Sequence, residues 1–509
     1  MTDPVAPRVF LVGAGPGDPG LLTLRAVECL ARADLVLYDK LVPQRLLEFA
    51  PPHAERVSVA DVPGGHPHRW PFILQRLVEA AKQGKIVVRL KGGDPLIFGR
   101  GAEEAEELRK AGIAYEIVPG VTAVSAAAAA AEIPVTHRGC ASAVALVTGH
   151  ENPTKSHHGL DWAALARFPG TLAIYMGMAR LDLIARVLIE NGKSPTTPAA
   201  VIAAASTGEQ RRVHATLAEL AEAARAAGLH APALIVIGPA AGHAPQLSWF
   251  ESRPLFGKRV LVTRPREQAN ELVRRLEILG AVPSVLPAVT IEPIDDWTEV
   301  DARLGRLREY DWLVFTSVNG VRAFFGRLRA TGRDLRALGD IQLAAIGPGT
   351  AEALREYHLD ADLVPAEYRS ESLAAVLVEK AAGQRILLAR ADRGRELLRD
   401  ELSRVATVDQ VAVYRQSDAM PADAPALDAL RRGEIDYVLL TSSNIARAFL
   451  GGLDEVCRGR IRDGHSRLIT ISPVTTAAVK ELDFSVAAEA RIYTLDGLLQ
   501  AVVEDVKSA

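Results

Sequence analysis

Two glycine-rich stretches, each bearing a carboxylate, are the residues of this chain best placed for chemistry. The first is VGAGPGDPG, Val12–Gly20, and the second is RLKGGDPLIFGRG, Arg89–Gly101. Each follows an apolar run and precedes a helical pattern, so each reads as a turn at a strand end. A dinucleotide turn needs Gly-x-Gly-x-x-Gly, with backbone amides free to meet a pyrophosphate. Gly13 and Gly15 fit that pattern, but Asp18 takes the third position and would repel a phosphate pair. Pro16 removes an amide donor as well. In the second stretch Gly92 and Gly93 let another backbone approach closely, and Asp94 follows them. Two glycine-rich strand ends with carboxylates suit a ligand carrying amine, hydroxyl and cationic groups. S-adenosylmethionine is such a ligand.

These turns need α/β elements to hold them. Short β-branched runs alternate with helical patterns along the chain: VFLV (9–12), KIVVRL (85–90), VALVTG (144–149), LIVIG (234–238), RVLVT (259–263), DWLVFTS (311–317) and YVLLTSS (437–443). The alternation predicts α/β domains with mostly parallel sheets covered on both faces. The stretch 239–257, rich in Pro, Gly and Ala and without a period, predicts a domain boundary.

Beyond that seam the chain repeats itself. Thr316, Ser317 and Asn319 recur as Thr441, Ser442 and Asn444, and IGPGT (346–350) recurs as ISPVT (471–475), both at an offset of 125. GKRVLVTR (257–264) recurs as GQRILLAR (383–390). The C-terminal half therefore reads as two copies of one α/β unit, folded as two lobes around a cleft. The repeated hydroxyls and amides at helix N-termini suit carboxylates, although helix capping alone also explains Ser and Thr there.

The totals narrow the classes. A chain of 509 residues, 49% hydrophobic and 24% charged, is large enough for several globular domains. A net charge of −3 gives no support for a nucleic-acid partner. Three scattered cysteines without a CxxC pair predict neither a disulfide framework nor a zinc site. The N-terminus lacks a signal-peptide pattern, and no apolar run reaches the roughly 20 residues of a membrane span. A cytoplasmic protein with neither nucleic-acid nor membrane partner is the expectation.

The blocks VGAGPGDPGLLTLRA, LVLYDKLV, RLKGGDPLIFGRGAEE, VPGVTAVSAAAAAAEIPVTHRG and ALVTGH together resemble the tetrapyrrole methylase family, and within it uroporphyrinogen-III C-methyltransferase. The resemblance spans about residues 8–245. It implies a two-subdomain α/β unit that holds S-adenosylmethionine at Pro16, Gly92, Gly93, Asp94, Ile97, Thr122, Ala123, Met176 and Ala205. It also implies two methyl transfers to uroporphyrinogen III, giving precorrin-2, and a homodimer through this half. Asp39 matches the family's presumed base. About 22 residues further on, where the family has a lysine, this chain has Asp61 in VSVADVPGGHPHRW. The neighbouring His66, His68 and Arg69 are candidates to serve in its place or to meet acidic substrate groups; read as an exposed loop, they lack the geometry of a metal site. Arg89, Lys91, Arg100, His137 and Arg138 are candidate donors to the substrate carboxylates.

The C-terminal half resembles uroporphyrinogen-III synthase over about 257–505, on VLVTRPREQA, FTSVNGVRAFF, AAIGPGTAEAL, VYRQ and LLTSSNIARAF. This implies closure of linear hydroxymethylbilane with inversion of the last ring, no cofactor, Tyr414 as a hydrogen-bond donor to the leaving hydroxyl, and Thr316, Ser317, Thr350, Thr441, Ser442 and Thr475 gripping acetate and propionate groups. The expected domains are 1–245 (subdomains about 1–119 and 120–245), a linker 246–256, and 257–509, with lobe one about 257–289 plus 418–509 and lobe two about 290–417. The product implied for the second half is the substrate implied for the first. Three other readings fit parts of the chain: a nicotinamide-dependent oxidoreductase, a methylase acting at another corrin position, and a C-terminal half that binds a tetrapyrrole without turnover.

Overall fold

The computed structural model describes residues 8–60, 66–150, 159–243, 248–394, 396–418, 420–421 and 424–508. The chain forms two compact units, Met1–Gly257 and Lys258–Ala509.

The first unit holds two five-stranded sheets. One is built from β1 (Val9–Gly13), β2 (Leu35–Tyr38), β3 (Glu55–Ser58), β4 (Val87–Lys91) and β5 (Tyr115–Val118), in the order β3-β2-β4-β1-β5. Every pairing in it is parallel. All five residues of β1 and of β4 are buried; β1 reads as a continuous apolar run, whereas β4 carries Arg89 and Lys91 into the interior. The other sheet is built from β6 (Val144–Thr148), β7 (Thr171–Tyr175), β8 (Pro198–Ala203), β9 (Arg211–Thr216) and β10 (Ala233–Ile237), in the order β6-β7-β10-β8-β9. Here only β6 and β7 run parallel, and the other three pairings are antiparallel. The expectation of mostly parallel sheets is corrected for this one. Residues 204–210 alone join β8 to β9, too few for the crossover of a dozen or more residues that parallel neighbours need.

Three glycines decide how the C-terminal ends of β1, β4 and β5 meet. A Cβ on Gly13 would lie 2.5 Å from Gly120 N and 2.7 Å from Gly93 O. A Cβ on Gly120 would lie 2.7 Å from Gly13 Cα and collide with Gly93 O. Backbone bonds then lace the loops together: Ala14 N donates to Lys91 O at 2.7 Å, Gly15 N to Gly93 O at 3.2 Å, and Gly93 N to Gly15 O at 2.8 Å. Gly93 sits at φ +68°, a conformation that costs glycine little. Residues 248–256 pack on this unit too, with Ser248 Oγ donating to Ala130 O at 2.5 Å and Trp249 Nε1 to Ala129 O at 2.9 Å.

The second unit runs β11 (Arg259–Val262), β12 (Val282–Val285), β13 (Val289–Glu292), β14 (Trp312–Phe315), β15 (Gln342–Ala345), β16 (Arg385–Ala391), β17 (Thr407–Asp418), β18 (Tyr437–Leu440), β19 (Arg467–Thr470) and β20 (Ala488–Glu489). Its sheets are ordered β12-β11-β18-β19-β20 and β13-β17-β16-β14-β15. The sequence repeat does not map one copy to one lobe. Strands β11 and β12 of the first copy pair with β18 to β20 of the second. Strands β16 and β17 of the second copy pair with β14 and β15 of the first. The two copies exchange halves, and the chain passes between lobes as an antiparallel ribbon in which Val289 faces Asp418 and Glu292 faces Arg415.

Gly120→Ala will force these three backbones apart. It is expected to lower stability by about 1–3 kcal/mol, seen as an earlier thermal transition of the full chain.

Candidate active sites

The first candidate site lies at the C-terminal strand ends of the parallel sheet. Asp94 does not project a free carboxylate toward a ligand: it accepts from Leu96 N at 2.8 Å and from Gly120 N at 3.1 Å. Asp18 accepts from Gly20 N at 2.8 Å and caps the short turn Pro19–Leu21. Both carboxylates, expected to face a cationic ligand, are engaged in building the loops, because each short side chain reaches a nearby amide first.

The residues around them converge. Pro16 follows Gly15, which is bonded to Gly93. An added Cβ on Gly93 would come within 3.9 Å of Thr122 Cα and Ala123 N. Thr122 Oγ1 is bonded to the Tyr175 hydroxyl at 2.7 Å, and that hydroxyl also accepts from Val124 N at 3.1 Å. Tyr175 thus ties the Thr122 turn to Met176, its neighbour in sequence, and its ring packs 4.9 Å from Phe98, one residue beyond Ile97. Ala205 packs on the same buried cluster as Tyr175. Phe98, Arg100, Met176, Ala204 and Ser206 all adopt positive φ. Left-handed backbone at non-glycine residues is strained, and such strain collects where function over-determines the chain. Met176 is half exposed, at 53%. The glycine cradle, with no Cβ between its strands, is rimmed by the exposed apolar side chains of Leu96, Phe98 and Met176.

Asp39 ends β2 beside this cradle. Its Oδ1 accepts from Arg89 Nη2 at 2.5 Å, and its side chain keeps 32% exposure. Arg89 itself is buried in β4 and also donates to Glu104 at 3.1 Å. Lys91, two residues along the same strand face, donates to the same Glu104 oxygen at 2.8 Å. Arg89 and Lys91 were expected as donors to a substrate. Both are instead only 2% exposed and serve this internal cluster. Burial opposes the Arg89 charge, but Asp39 and Glu104 outweigh it and raise its pKa. Burial, with Arg89 adding to it, pushes the Lys91 ammonium down. Glu104 escaped the sequence reading because it sits in the acidic run EEAEE. Its signal is positional: it lies on the buried face of the helix Gly101–Lys110 with Ala105 and Leu108.

The remaining basic candidates scatter. Arg100 is exposed and stacks on Trp70 at 4.2 Å, Arg138 is exposed, and His137 stacks on His243. His66 and His68 begin the helix His66–Lys82 rather than lying in a loop; their side chains, that of Arg69, and Asp61 fall outside the described residues.

In the second unit Tyr414 lies on β17, 8% exposed, with its hydroxyl 3.0 Å from Ser317 Oγ. Burial pushes its phenol above the usual range, and hydrogen bonds from Ser317 and Asn319 pull partly back. Asn319 Oδ1 in turn accepts from Gln268 Nε2 of the other lobe at 2.8 Å. Ser317 and Ser442 are N-caps, accepting from Gly320 N and Ile445 N. Thr316 and Thr441 precede them, half-buried. Thr350 and Thr475 are buried, at 5% and 1%, so their side chains do not reach an open cleft in this conformation. Tyr414, Asn319, Arg322 and Arg327 line a cavity of about 420 Å³.

A parallel sheet with a glycine cradle and a second, mostly antiparallel sheet make up the first α/β unit, and the second α/β unit is two-lobed. Residues 8–221 match the family described as tetrapyrrole (corrin/porphyrin) methylases, and residues 270–500 match uroporphyrinogen-III synthase HemD. The chain is 34% identical over 450 residues to the porphyrin biosynthesis protein HemD of Ruminiclostridium josui, covering 88% of this chain and 89% of that one. It is 41% identical over 330 residues to a uroporphyrinogen-III C-methyltransferase of Bacillus subtilis (strain 168), covering 65% and 68%. It is 47% identical over 231 residues to the S-adenosyl-L-methionine-dependent uroporphyrinogen III methyltransferase of Methanosarcina barkeri, covering 45% and 91%. The chain belongs to the tetrapyrrole methylase family, with a uroporphyrinogen-III synthase unit joined behind the methylase unit.

Glu104→Ala leaves Arg89 and Lys91 buried without their shared counter-charge. A loss of about 3–5 kcal/mol is expected, read as a lower urea midpoint of the full chain.

Proposed function

We propose that this chain is a bifunctional enzyme of tetrapyrrole biosynthesis. Its C-terminal unit closes hydroxymethylbilane to uroporphyrinogen III, and its N-terminal unit transfers two methyl groups from S-adenosylmethionine to that product, giving precorrin-2. The observation that carries the methylase reading is Asp39, held by Arg89 at a strand end beside the glycine cradle yet open to solvent.

S-adenosylmethionine, when bound, supplies an electrophilic methyl group. The protein's share is then position and proton transfer. Pro16, Gly92, Gly93, Asp94 and Ile97, with Thr122, Ala123, Met176 and Ala205, would hold the cofactor. A pyrrole carbon that gains a methyl group leaves the macrocycle with a proton to lose. The Asp39 carboxylate accepts it, and Arg89 fixes the oxygen that faces away.

In the synthase unit the bilane hydroxyl leaves with a proton. Tyr414 donates it, since burial keeps the phenol neutral. Thr316, Ser317, Thr441 and Ser442 meet the acidic side chains of the bilane where two N-caps face the cleft. Thr350 and Thr475 join them only if the lobes move. A cytoplasmic homodimer paired through the methylase unit belongs to the same reading.

Full-length protein given hydroxymethylbilane and S-adenosylmethionine is expected to release a dimethylated type-III product, identified by mass and isomer analysis. Asp39→Asn should lower methylation by about 10²-fold or more and leave cyclisation unchanged. Cyclised but unmethylated product from the wild type would overturn the methylase assignment at Asp61, and Asp61→Lys is the variant that tests that position.

Tyr414→Phe should do the reverse, cutting formation of the type-III isomer by about 10²-fold while methylation of supplied uroporphyrinogen III persists. Because the folded phenol titrates above its free value, the neutral donor survives as pH rises. Type-III formation is therefore expected to hold through about pH 10, the ordinary phenol pKa; a fall centred below it would remove Tyr414 from the role.

A further inference from the structure

His137 was a candidate contact for substrate carboxylates, but the fold gives it different company. In the first unit an antiparallel bridge between His137 and Ala141 closes a tight turn. His137 N donates to Ala141 O at 2.8 Å, Ala141 N to His137 O at 2.8 Å, and Cys140 N to His137 O at 3.1 Å. His137 and Cys140 are thereby presented three positions apart on one rigid turn. The segment Pro239–His243, which follows β10, brings a third side chain. The His243 ring stacks on that of His137, with centroids 4.2 Å apart and planes 14° from parallel. One ligand-capable atom from each of His137, Cys140 and His243 lies within 4.8 Å of the other two.

We propose that His137, Cys140 and His243 form a binding site for a soft divalent transition-metal ion of the zinc class, with water in the fourth position. The donor set selects the ion. A thiolate and two imidazoles suit zinc, whereas calcium and magnesium want oxygen ligands, and the cluster contains no carboxylate. Tetrahedral zinc takes nitrogen at about 2.0–2.1 Å and sulfur at about 2.3 Å, so its ligand atoms stand roughly 3.3–3.8 Å apart. The three side chains must close by about 1 Å. Both histidines are exposed and Cys140 is half-buried, so side-chain rotation supplies that movement without disturbing the core. The Gly139 amide donates to His137 Nδ1 at 3.2 Å and orients the ring. Ligation through Nδ1 replaces that bond with the ion, while ligation through Nε2 moves the imidazole proton to Nδ1. Either way the ion joins the turn that leads into β6 to the segment that leaves β10, clipping together two stretches a hundred residues apart in the chain.

Sequence spacing conceals this site. It has no CxxC pair, and its third ligand comes from a remote segment, so only the fold assembles it.

The test uses metal-free, reduced full-length protein titrated with zinc and, for spectroscopy, with cobalt. One equivalent is expected to bind to the wild type with a thiolate-to-cobalt charge-transfer band. Cys140→Ser should abolish the band and weaken binding by at least about tenfold, and His243→Ala should weaken it similarly. Zinc should raise the thermal transition of the wild type and not that of the double variant Cys140→Ser, His243→Ala, as mass action requires. His243→Cys provides the positive arm: it should retain one equivalent and strengthen the charge-transfer band, even if the double variant fails to fold. Equal zinc affinity and stoichiometry in the wild type and a folded double variant would overturn the proposal. So would a cobalt spectrum without thiolate absorption, or an unchanged band in His243→Cys.

Discussion

The contact of three bare backbones at Gly13, Gly93 and Gly120 governs the first unit. With a Cβ on Gly13 or Gly120 the three loops could not touch, and the bonds that depend on their touching would be lost. Gly15 would not pair with Gly93, and Asp94 would not reach Gly120 N. The turn at Thr122 would then shift, and with it the Tyr175 hydroxyl that holds the turn against the Met176 loop. The shape of this strand-end cradle is therefore a consequence of close backbone approach rather than of a set of recognition side chains. Its glycines exclude a side chain from the sheet's C-terminal edge, and the carboxylates beside them hold the excluded space open.

The same strands carry charge where little water reaches it. Arg89 and Lys91 precede the second glycine pair and point into the unit, where Glu104 receives both. Two buried cations sharing one carboxylate are not a strong source of stability, because desolvation offsets most of the attraction. Glu104 Oε2 even lacks a hydrogen-bond partner among the described residues. The cluster makes better sense as orientation. Arg89 spans from Glu104 to Asp39, so the one carboxylate that reaches solvent is fixed by a cation that cannot move. A mobile surface arginine would neutralise Asp39 equally well but would not aim it.

Much of this could be read from residue order. Strands such as 9–12 and 437–443 were legible because both faces are covered, leaving unbroken apolar runs. The family was legible in motifs such as GAGPGD and KGGDP. What escaped was pairwise and distant. The amides that Asp18 and Asp94 accept from went unread because a one-dimensional string does not reveal which amide lies nearest. Arg89 and Lys91 looked like surface donors because strand polarity alone does not say that Glu104 lies across from them. The antiparallel pairings of β7 to β10 went unread because apolar runs look alike in either direction, and only the short 204–210 connection carried the distinction. His243 was invisible as a partner of His137 for the same reason of distance.

The synthase unit shows how a duplicated chain departs from its own symmetry at a buried tyrosine. At the repeat offset of 125, Ser317 corresponds to Ser442 and Asn319 to Asn444, but Tyr414 corresponds to Val289. Both serines cap helices in the same way, so capping preserves the symmetry and cannot supply chemistry at only one place. Asymmetry enters on the ribbon that crosses between the lobes, where β17 pairs with β13 and each copy contributes one strand. Ser317, besides accepting from Gly320 N, meets the Tyr414 hydroxyl at 3.0 Å, and Ser442 accepts from Ile445 N. Exchange of halves between the copies places Tyr414 on β17, the strand whose far end pairs with β13 of the first copy. A lobe built wholly from one copy would have kept its tyrosine to itself; here a movement of either lobe must act on the strand that carries Tyr414.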